Sequence, residues 1–346
     1  MNAGQETPSA VTIRPPQLTQ SLVGGFNAVA NNIWLILLPV AVDLLLWFGP
    51  HLRLQKLLLP GLEGMIQLMQ RTAAPEMLPA VENAERVWKL FLEQYNFFNL
   101  LSTFPVGVPS LMTATAPANT PLGLPEQVDV GSYGQMLLGW LALNLLGLLL
   151  GSIYFAWVAK STSAIPAEFD CETASAANGR IPSLRPGVIV WQMAQALLLV
   201  IILVAIITIM MVPSIFLSSI LALVSPILAQ FTLIIISLSV MWFLIPLVFS
   251  PHGIFLCGQS AFNALFTSRR VVGYSFPNTM LFLAAALVLL QGLGVLWRTP
   301  PANSWMALVG ILGHAFISTG LLAASFFFYR AGLAYVQSIR KLRSGI

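Results

Sequence analysis

Six long apolar runs dominate this sequence and constrain its fold more than any other feature. A helix of about 20 apolar residues crosses the roughly 30 Å hydrocarbon core of a bilayer, because each residue adds about 1.5 Å. The runs are continuously apolar and rich in leucine, whereas the strands of a membrane barrel alternate over about ten residues. The sequence therefore predicts an all-α, polytopic bundle of about six transmembrane helices. The runs cover residues 31–49, 135–159, 188–212, 230–249, 277–297 and 305–329.

The composition excludes a water-soluble globular domain. Of the 346 residues, 57% are hydrophobic and only 8% are charged, and the mean hydropathy is +0.84. A soluble domain carries about 25% charged residues. The chain is therefore expected to be an integral, multi-pass membrane protein.

The distribution of lysine and arginine predicts the orientation of the helices. If the amino terminus is cytoplasmic, ten basic residues fall on the inner side, whereas the short outer loops hold only Arg298. Short cytoplasmic loops of multi-pass proteins carry an excess of basic residues. We therefore expect a protein of the cell (inner or plasma) membrane with both termini in the cytoplasm. The ten residues are Arg14, Lys160, Arg180, Arg185, Arg269, Arg270, Arg330, Arg340, Lys341 and Arg343.

The basic inner side also indicates the kind of partner. Such a face suits anionic lipid headgroups, at about 1 kcal/mol for each well-placed basic residue, and it gives no case for nucleic acid. Cys171 and Cys257 both fall on this side, where thiols stay reduced, so no disulfide is expected. Membrane lipids and a cytoplasmic protein are therefore the partners to consider.

The apolar runs divide the chain into five regions. These are a cytoplasmic amino-terminal segment (1–30), the first span (31–49), an outer cap (50–134), a five-span bundle (135–329) and a basic cytoplasmic tail (330–346). Within the bundle, residues 213–226 are about 14 residues long, which is too short to cross alone. We expect that stretch to form either a re-entrant half-helix or an outer hairpin.

The outer cap is predicted to contain two amphipathic helices. One begins near Leu62, and in the other Trp88 and Phe91 lie on the apolar face opposite Glu85 and Lys89. Several prolines then break regular structure in the stretch "STFPVGVPSLM" and after it. We expect a cap of two helices resting on the membrane surface, followed by a proline-rich loop, and a ligand-binding ectodomain is the alternative.

An interfacial helix is predicted over residues 254–270. The apolar residues Phe255, Phe262, Leu265 and Phe266 recur near helical spacing, and Gln259, Asn263, Thr267 and Arg270 fall on the other face. Such a helix lies flat in the interface, with Arg269 and Arg270 at the phosphates. The alternative is a docking helix for a cytoplasmic partner, like the coupling helix of a transporter permease.

The same part of the chain resembles a known element. A span, a small "A..AL..S" interfacial helix, a basic residue and another span follow each other, and the matching residues are Ala261, Ala264, Leu265, Ser268 and Arg269. This pattern is similar to the membrane domain of some glycerophosphoryl diester phosphodiesterases and to Yip-type families. The stretch "LVGGFNAVANNIWLILLPVAVDLLLW" resembles the first helices of such proteins. The resemblance implies a helical membrane module, and it carries no activity, because the catalytic residues of the phosphodiesterases are missing.

Catalytic and cofactor-binding motifs are absent from the sequence. There is no phosphate-binding glycine loop, no His-Glu-x-x-His and no Gly-x-Ser-x-Gly. Three histidines and few carboxylates make a metal site of ordinary composition improbable. We therefore expect a protein that is not an enzyme and binds no cofactor.

Two ionisable side chains inside the apolar runs are candidate functional residues. Asp43 is the only acidic residue within a run, and His314 is the only histidine within one. Ionisable groups in hydrocarbon are costly and are therefore candidates for function. We predict that Asp43 and His314 meet between the first and last spans. The alternative is that Asp43 bonds water or backbone near Pro39, while His314 bonds Ser318.

The second apolar run carries a packing signal. Gly139, Gly147 and Gly151 share one helical face and predict a close approach of another helix, and Asn144 is placed to bond across. Packing within one chain is the main expectation. Homodimerisation is the alternative.

Two classes of function fit these features. The first is a non-enzymatic module that organises the membrane or anchors something to it through its basic inner face. The second is a transport component, either a permease subunit that docks a cytoplasmic ATPase through residues 254–270 or a small carrier that uses Asp43. A membrane enzyme rests only on Asp43 and His314.

Overall fold

The computed structural model describes residues 15–72, 75, 78–115, 119–163 and 184–344. Helices dominate, and a short parallel pair of strands, β1 (His51–Arg53) and β2 (Gln127–Asp129), joins the two ends of the outer region. The prediction of an all-α fold is therefore confirmed. The helices are α1 (Leu18–Asn31), α2 (Leu37–Phe48), α3 (Gln55–Thr72), α4 (Leu78–Gln94), α5 (Met112–Thr115), α6 (Tyr133–Ser163), α7 (Pro186–Val224), α8 (Pro226–Leu244), α9 (Ser250–Cys257), α10 (Ala261–Tyr274), α11 (Phe276–Trp297) and α12 (Met306–Ser344).

Five or six helices within the described residues are long and apolar enough to cross a membrane. Five candidate spans are continuous helical stretches, and one of them, Ile227–Cys257, includes both α8 and α9. The sixth is a pair, Leu18–Asn31 and Ile33–Phe48, which is bent by 93°. The break falls at Asn32, whose side chain donates a hydrogen bond back to the carbonyl oxygen of Ala28. The number of spans predicted from the sequence is thus confirmed, and the first span begins after a sharp bend.

Residues 213–226 form the tip of a helical hairpin, so they are not a re-entrant half-helix. Helix α7 continues through Pro213 to Val224, and α8 begins at Pro226, where a first-turn proline needs no intrahelical partner. The 39 residues of α7 extend for about 58 Å, which is nearly twice the hydrocarbon thickness. The outward faces of α7 and α8 are largely apolar and exposed, as lipid-facing helices require.

The core lies where α2, α6, α9, α10, α11 and α12 converge. Its densest part is an aromatic stack in which Phe282 lies 4.6 Å and Phe249 lies 5.6 Å from the ring centre of Phe328. Where α12 passes the carboxyl end of α6, the guanidinium of Arg330 donates a hydrogen bond to the carbonyl oxygen of Thr162. That contact satisfies a carbonyl group that the helix itself leaves unpaired.

Helices α9 and α10 form a tight hairpin against α6, α7 and α12. Gly258 ends α9 in the left-handed conformation that glycine adopts without steric cost, and Ser260 caps α10 by accepting from the backbone N–H of Asn263. All of α9 is buried. Phe255 packs against Phe155, with ring centres 5.4 Å apart, so its predicted place at the lipid interface is wrong.

The cysteine expectation also needs correction. Cys257 is completely buried and disulfide-bonded, whereas the sequence predicted a reduced thiol. Cys171, the other cysteine in the sequence, lies outside the described residues. A disulfide in a protein of the cell surface forms on the oxidising side of the membrane, so this bond bears on the orientation.

The two amphipathic helices of the outer cap are present as α3 and α4, which pack against each other. On their exposed side Lys89 pairs with Glu85 at 2.8 Å and with Glu63 at 3.7 Å. A small apolar cluster beneath them joins the cap to α6. The cap therefore rests on the bundle, and its predicted place on the membrane surface stays a prediction. Part of the proline-rich stretch that follows it enters the bundle.

Candidate re-entrant site

Residues 97–112, called here the re-entrant segment, descend from the cap into the bundle. Asn96 fixes the point of entry, since its side-chain oxygen accepts from the backbone N–H groups of Leu52 and Phe98. A short 3-10 helix, Phe97–Leu101, is followed by irregular backbone as far as α5. Val106 and Val108 are almost completely buried in the main core. The sequence predicted a proline-rich outer loop here, and the structure instead buries this stretch within the bundle.

The glycine face of α6 accommodates the re-entrant segment. A Cβ atom on Gly151 would lie 2.7 Å from the Cα atom of Gly107, and one on Gly147 would lie 2.6 Å from the carbonyl oxygen of Leu101. A Cβ atom on Gly139 would lie 3.0 Å from the ring of Phe97. The glycines therefore permit close approach of irregular chain, where the sequence predicted a helix. Because the same chain covers this face, it is closed to a second copy.

The depth of the segment follows from its contact with α6. Gly151, which touches Gly107, lies nine residues before Lys160, the basic residue near the carboxyl end of the helix. Nine residues correspond to about 14 Å along a helix, close to half of a hydrocarbon core of about 30 Å. If Lys160 marks one boundary of the hydrocarbon core, the irregular backbone lies near its middle.

Asp43 binds the returning part of the segment. Its carboxylate accepts hydrogen bonds from the hydroxyl of Ser110 at 2.5 Å and from the backbone N–H groups of Leu111 and Met112 at 3.1 and 3.0 Å. Asp43 itself is completely buried on α2. These donors satisfy the carboxylate, and the carboxylate satisfies N–H groups that no helix or strand pairs.

The predicted pair of Asp43 and His314 does not form. The carboxylate of Asp43 is directed at the re-entrant segment, and the Nδ1 atom of His314 is buried without a hydrogen-bond partner. The alternative is also only partly correct. Asp43 does bond backbone, but at Leu111 and Met112 instead of near Pro39, and the hydroxyl of Ser318 donates to the carbonyl oxygen of His314 instead of to its ring.

Two side chains of the segment satisfy its own carbonyl groups. The hydroxyl of Ser102 donates to the carbonyl oxygen of Val108 at 2.8 Å, and the hydroxyl of Thr103 donates to that of Val106. Such local bonds replace those of a helix or a sheet. In a membrane, unpaired backbone groups cost several kcal/mol each, so irregular chain persists only where it is buried in protein or lines a cavity.

A cavity of about 530 Å³ lies beside the segment and between α6, α11 and α12. Arg298, His314 and Thr113 are among its polar lining residues, and Phe155, Leu321 and Leu322 are among its apolar ones. His314 lies eight residues into α12, about 12 Å along the helix. No carboxylate is among the described residues that line this cavity, which we call the polar cavity.

A second cavity of about 730 Å³, the apolar groove, lies between α6 and α7. Trp140, Leu148 and Ile201 are among its lining residues, together with Asn144. Asn144 donates to the carbonyl oxygen of Trp140, one turn earlier on its own helix, so its predicted bond to another helix is absent. Thr103 and Phe104 of the re-entrant segment line both cavities and separate them.

The surface of α10 that the charge distribution assigns to the inner side, called here the inner surface of α10, carries the remaining predicted residues. Phe262 and Phe266 are more than half exposed, and Arg269 and Arg270 are exposed on the same side. At the end of this surface, the guanidinium of Arg343 from α12 lies over the ring of Tyr274, 5.8 Å from its centre. The opposite face of α10, formed by residues such as Ala264 and Ser268, is buried. The sequence assigned the apolar and basic residues to opposite faces of the helix, whereas in the structure they lie on the same exposed face of α10.

Sequence reasoning missed the re-entrant segment because its prolines read as an ordinary loop. One signal was present. Val106, Val108 and Leu111 are apolar residues between prolines and serines, which is unusual for a loop that lies in water. Among the described residues, no three His, Cys, Asp or Glu side chains form a group suited to a metal ion. Comparison of the chain with protein-family models, with curated proteins and with solved structures gives no match.

Proposed function

We propose that the protein is a membrane transport component whose substrate enters the polar cavity beside the re-entrant segment. The observation that supports it is irregular backbone at mid-membrane depth, at Gly107, next to a cavity whose lining includes the polar side chains of Ser110, Arg298 and His314. Transporters place their binding sites near the midplane, where non-helical chain supplies polar groups within reach of the substrate.

Asp43 has a positioning role in this proposal. It does not face the cavity as a carrier residue would, since its oxygens are occupied by Ser110, Leu111 and Met112. It holds the returning chain and so keeps Ser110 and Thr113 beside the cavity. If the protein is a small carrier, its substrate is therefore proposed to bind in the polar cavity, and Asp43 stabilises one wall of that cavity.

Cysteine accessibility tests whether the cavity is open to water. We would compare Ser318→Cys, which lines the polar cavity, with Leu312→Cys, which is 43% exposed on α12, in membrane vesicles. A charged, membrane-impermeant thiol reagent reacts only in water, so it should modify position 318 although that position is deeper. Equal protection of both cysteines would contradict a hydrated cavity and the transport proposal with it.

The orientation is part of the proposal. The charge distribution supports cytoplasmic termini in the cell membrane, with Arg298 and the polar cavity on the outer side. The disulfide at Cys257 supports the opposite orientation, because cytoplasmic thiols stay reduced. We favour the charge rule, since it rests on ten residues and the disulfide on one bond. Protease protection of a tag on the carboxyl terminus decides between the two.

The inner surface of α10 favours a second function, a module that organises or anchors at the bilayer. Phe262 and Phe266 beside Arg269 and Arg270 match acyl chains and phosphates, respectively. The same surface suits the docking of a cytoplasmic ATPase. Co-purification in mild detergent separates these roles, because a stoichiometric ATPase supports a permease subunit and lipid alone supports anchoring. The resemblance to phosphodiesterase membrane domains and Yip-type families stays a prediction.

A further inference from the structure

We propose that the polar cavity and the apolar groove together bind one anionic amphiphile. Its phosphate or carboxylate head occupies the polar cavity at Arg298 and His314, and its hydrocarbon chain passes Phe104 into the apolar groove. This inference rests on the proposed function and names its substrate class. The three observations that carry it are the unpaired polar groups of the cavity, its charge, and its contact with a hydrocarbon-lined space.

The polar cavity contains buried groups that lack a partner. His314 is only 8% exposed, and its Nδ1 atom has no hydrogen-bond partner. The Thr113 hydroxyl is also buried and unpartnered, and both residues line the same cavity. Buried polar groups are nearly always paired, and an unpaired one costs about 1–3 kcal/mol. An acceptor oxygen of a ligand would satisfy the hydroxyl of Thr113, and it would satisfy Nδ1 of His314 in the tautomer that carries its proton there.

The charge of the cavity selects the sign of the ligand. Arg298 lines the mouth, and within the described residues it forms no ion pair. The carboxylate that binds the segment, Asp43, does not line the cavity, and its oxygens accept hydrogen bonds from Ser110, Leu111 and Met112. Guanidinium groups bind phosphate and carboxylate with two parallel hydrogen bonds, so an anion is the matched occupant.

The remaining walls indicate that the anion carries a hydrocarbon chain. The polar cavity is also lined by Phe155, Leu321 and Leu322, whose side chains form no hydrogen bond with a small hydrophilic ion. The apolar groove begins on the other side of Phe104, a side chain that is 82% exposed and lines both spaces. An amphiphile places each of its two parts in the matching space, whereas a bare anion leaves the groove unexplained.

Tryptophan quenching by brominated lipid provides the test. Trp140 lines the apolar groove, so a brominated chain bound there should quench its fluorescence. The full chain in phosphatidylcholine nanodiscs would receive phosphatidate or phosphatidylcholine, each with brominated chains. We expect phosphatidate to quench at concentrations at least about tenfold lower, because one charge-assisted contact corresponds to roughly that ratio. The Trp140→Phe variant identifies the part of the signal that arises in the groove.

Two matched variants assign the preference to this cavity. Arg298→Gln should abolish the preference for phosphatidate, whereas Arg86→Gln, at an exposed arginine on α4, should leave it unchanged. Phe104→Ala, at an exposed position, should alter the quenching of Trp140 and preserve the preference for the anionic head. If Arg298→Gln and Arg86→Gln behave alike, or if phosphatidate shows no advantage in the wild type, the inference is wrong.

Competition distinguishes the source of the ligand. Dodecyl phosphate that displaces brominated phosphatidate indicates a single-chain amphiphile from solution, and displacement by unlabelled phosphatidate alone indicates a lipid of the bilayer. Displacement by inorganic phosphate at similar concentrations would overturn the requirement for a chain. The outcome is separable from the transport proposal. If the cysteine of Ser318→Cys reacts with the thiol reagent but phosphatidate shows no advantage in quenching, only this inference is wrong. If phosphatidate shows the advantage but that cysteine does not react, only the transport proposal is wrong.

Discussion

The carboxylate of Asp43 on α2 accepts a hydrogen bond from the hydroxyl of Ser110, 67 residues later in the re-entrant segment. The two residues belong to parts of the chain that the sequence assigned to a span and to an outer loop. Their contact holds irregular backbone inside the bundle, beside the polar cavity. The contact therefore links Asp43, the only carboxylate within the predicted spans, to the re-entrant segment on which the proposed function depends.

Asp43→Asn should destabilise the protein. An asparagine retains one acceptor oxygen and turns an N–H group toward donors from Ser110, Leu111 or Met112, so at least one buried bond is lost. We expect a loss of about 1–3 kcal/mol in the free energy of unfolding, measured by denaturant in detergent. Asp129→Asn is the control, because Asp129 pairs with the exposed Lys56 and such pairs contribute about 0–1 kcal/mol. Equal losses would show that Asp43 does not anchor the segment.

Gly151→Ala should separate the re-entrant segment from α6. The new methyl group would lie 2.7 Å from the Cα atom of Gly107 and 2.8 Å from the carbonyl oxygen of Val106, and backbone must move to admit it. Overpacking of this kind costs about 1–3 kcal/mol. Gly292→Ala on α11 meets nothing within 4 Å and should be neutral or slightly stabilising, since alanine favours a helix. Thermal unfolding of the two variants checks the contrast, and a neutral Gly151→Ala would contradict the packing.

Tyr154→Phe and Tyr329→Phe should have different effects although both rings are completely buried. The hydroxyl of Tyr154 donates to the Oγ1 atom of Thr319 at 2.8 Å, and that of Tyr329 has no hydrogen-bond partner. Removal of the first hydroxyl should cost about 1 kcal/mol, and removal of the second should be neutral or stabilising. Denaturant unfolding of both variants measures the difference. The prediction fails if Tyr329→Phe is the more damaging change.

His51 should make the outer region sensitive to acid. Burial lowers the pKa of His51 below its ordinary value, with a further contribution from the charge of Arg53, whereas the hydrogen bond with the carbonyl oxygen of Leu46 opposes the shift. A histidine whose folded pKa is lowered stabilises the fold above its unfolded pKa, about 6.5, and this contribution is lost as the pH falls through the folded value.

Comparison with a variant isolates the effect of His51. The melting temperature of the wild type should fall between pH 7.5 and pH 5, roughly the range in which an ordinary histidine titrates. His51→Gln should show a smaller fall, because the buried histidines of the membrane helices are present in both proteins. Identical pH profiles for the two proteins would show that His51 is not responsible.

Long apolar runs predicted most helices well because their information is local. A continuous apolar stretch has few alternatives to a spanning helix, since its backbone groups must be paired within the segment. Thus α6, α11 and α12 begin within about two residues of the predicted starts, although α12 extends well beyond its apolar part. The third apolar run was ended at residue 212, before Pro213, whereas α7 continues to Val224. A proline is allowed inside a membrane helix because the neighbouring helix and the rest of α7 compensate for the missing hydrogen bond.

The site residues divide in the same way. Asp43, His314 and the glycines of α6 were identified by their residue types, which are unusual in a span. Their partners were not. Gly147 and Gly151 approach the re-entrant segment, Asp43 binds Ser110, and His314 faces a cavity, and each of these contacts joins residues far apart in the chain.

By itself, the sequence determined that this is a multi-pass helical membrane protein, because transfer of apolar side chains out of water acts on each run independently. Tertiary structure alone decided that a proline-rich stretch enters the helical bundle. That stretch has too few apolar residues to enter on its own and remains there because α6 offers glycines, Asp43 accepts its N–H groups, and its own hydroxyls satisfy its carbonyls. Such a balance depends on contacts between distant residues, which local pattern does not contain.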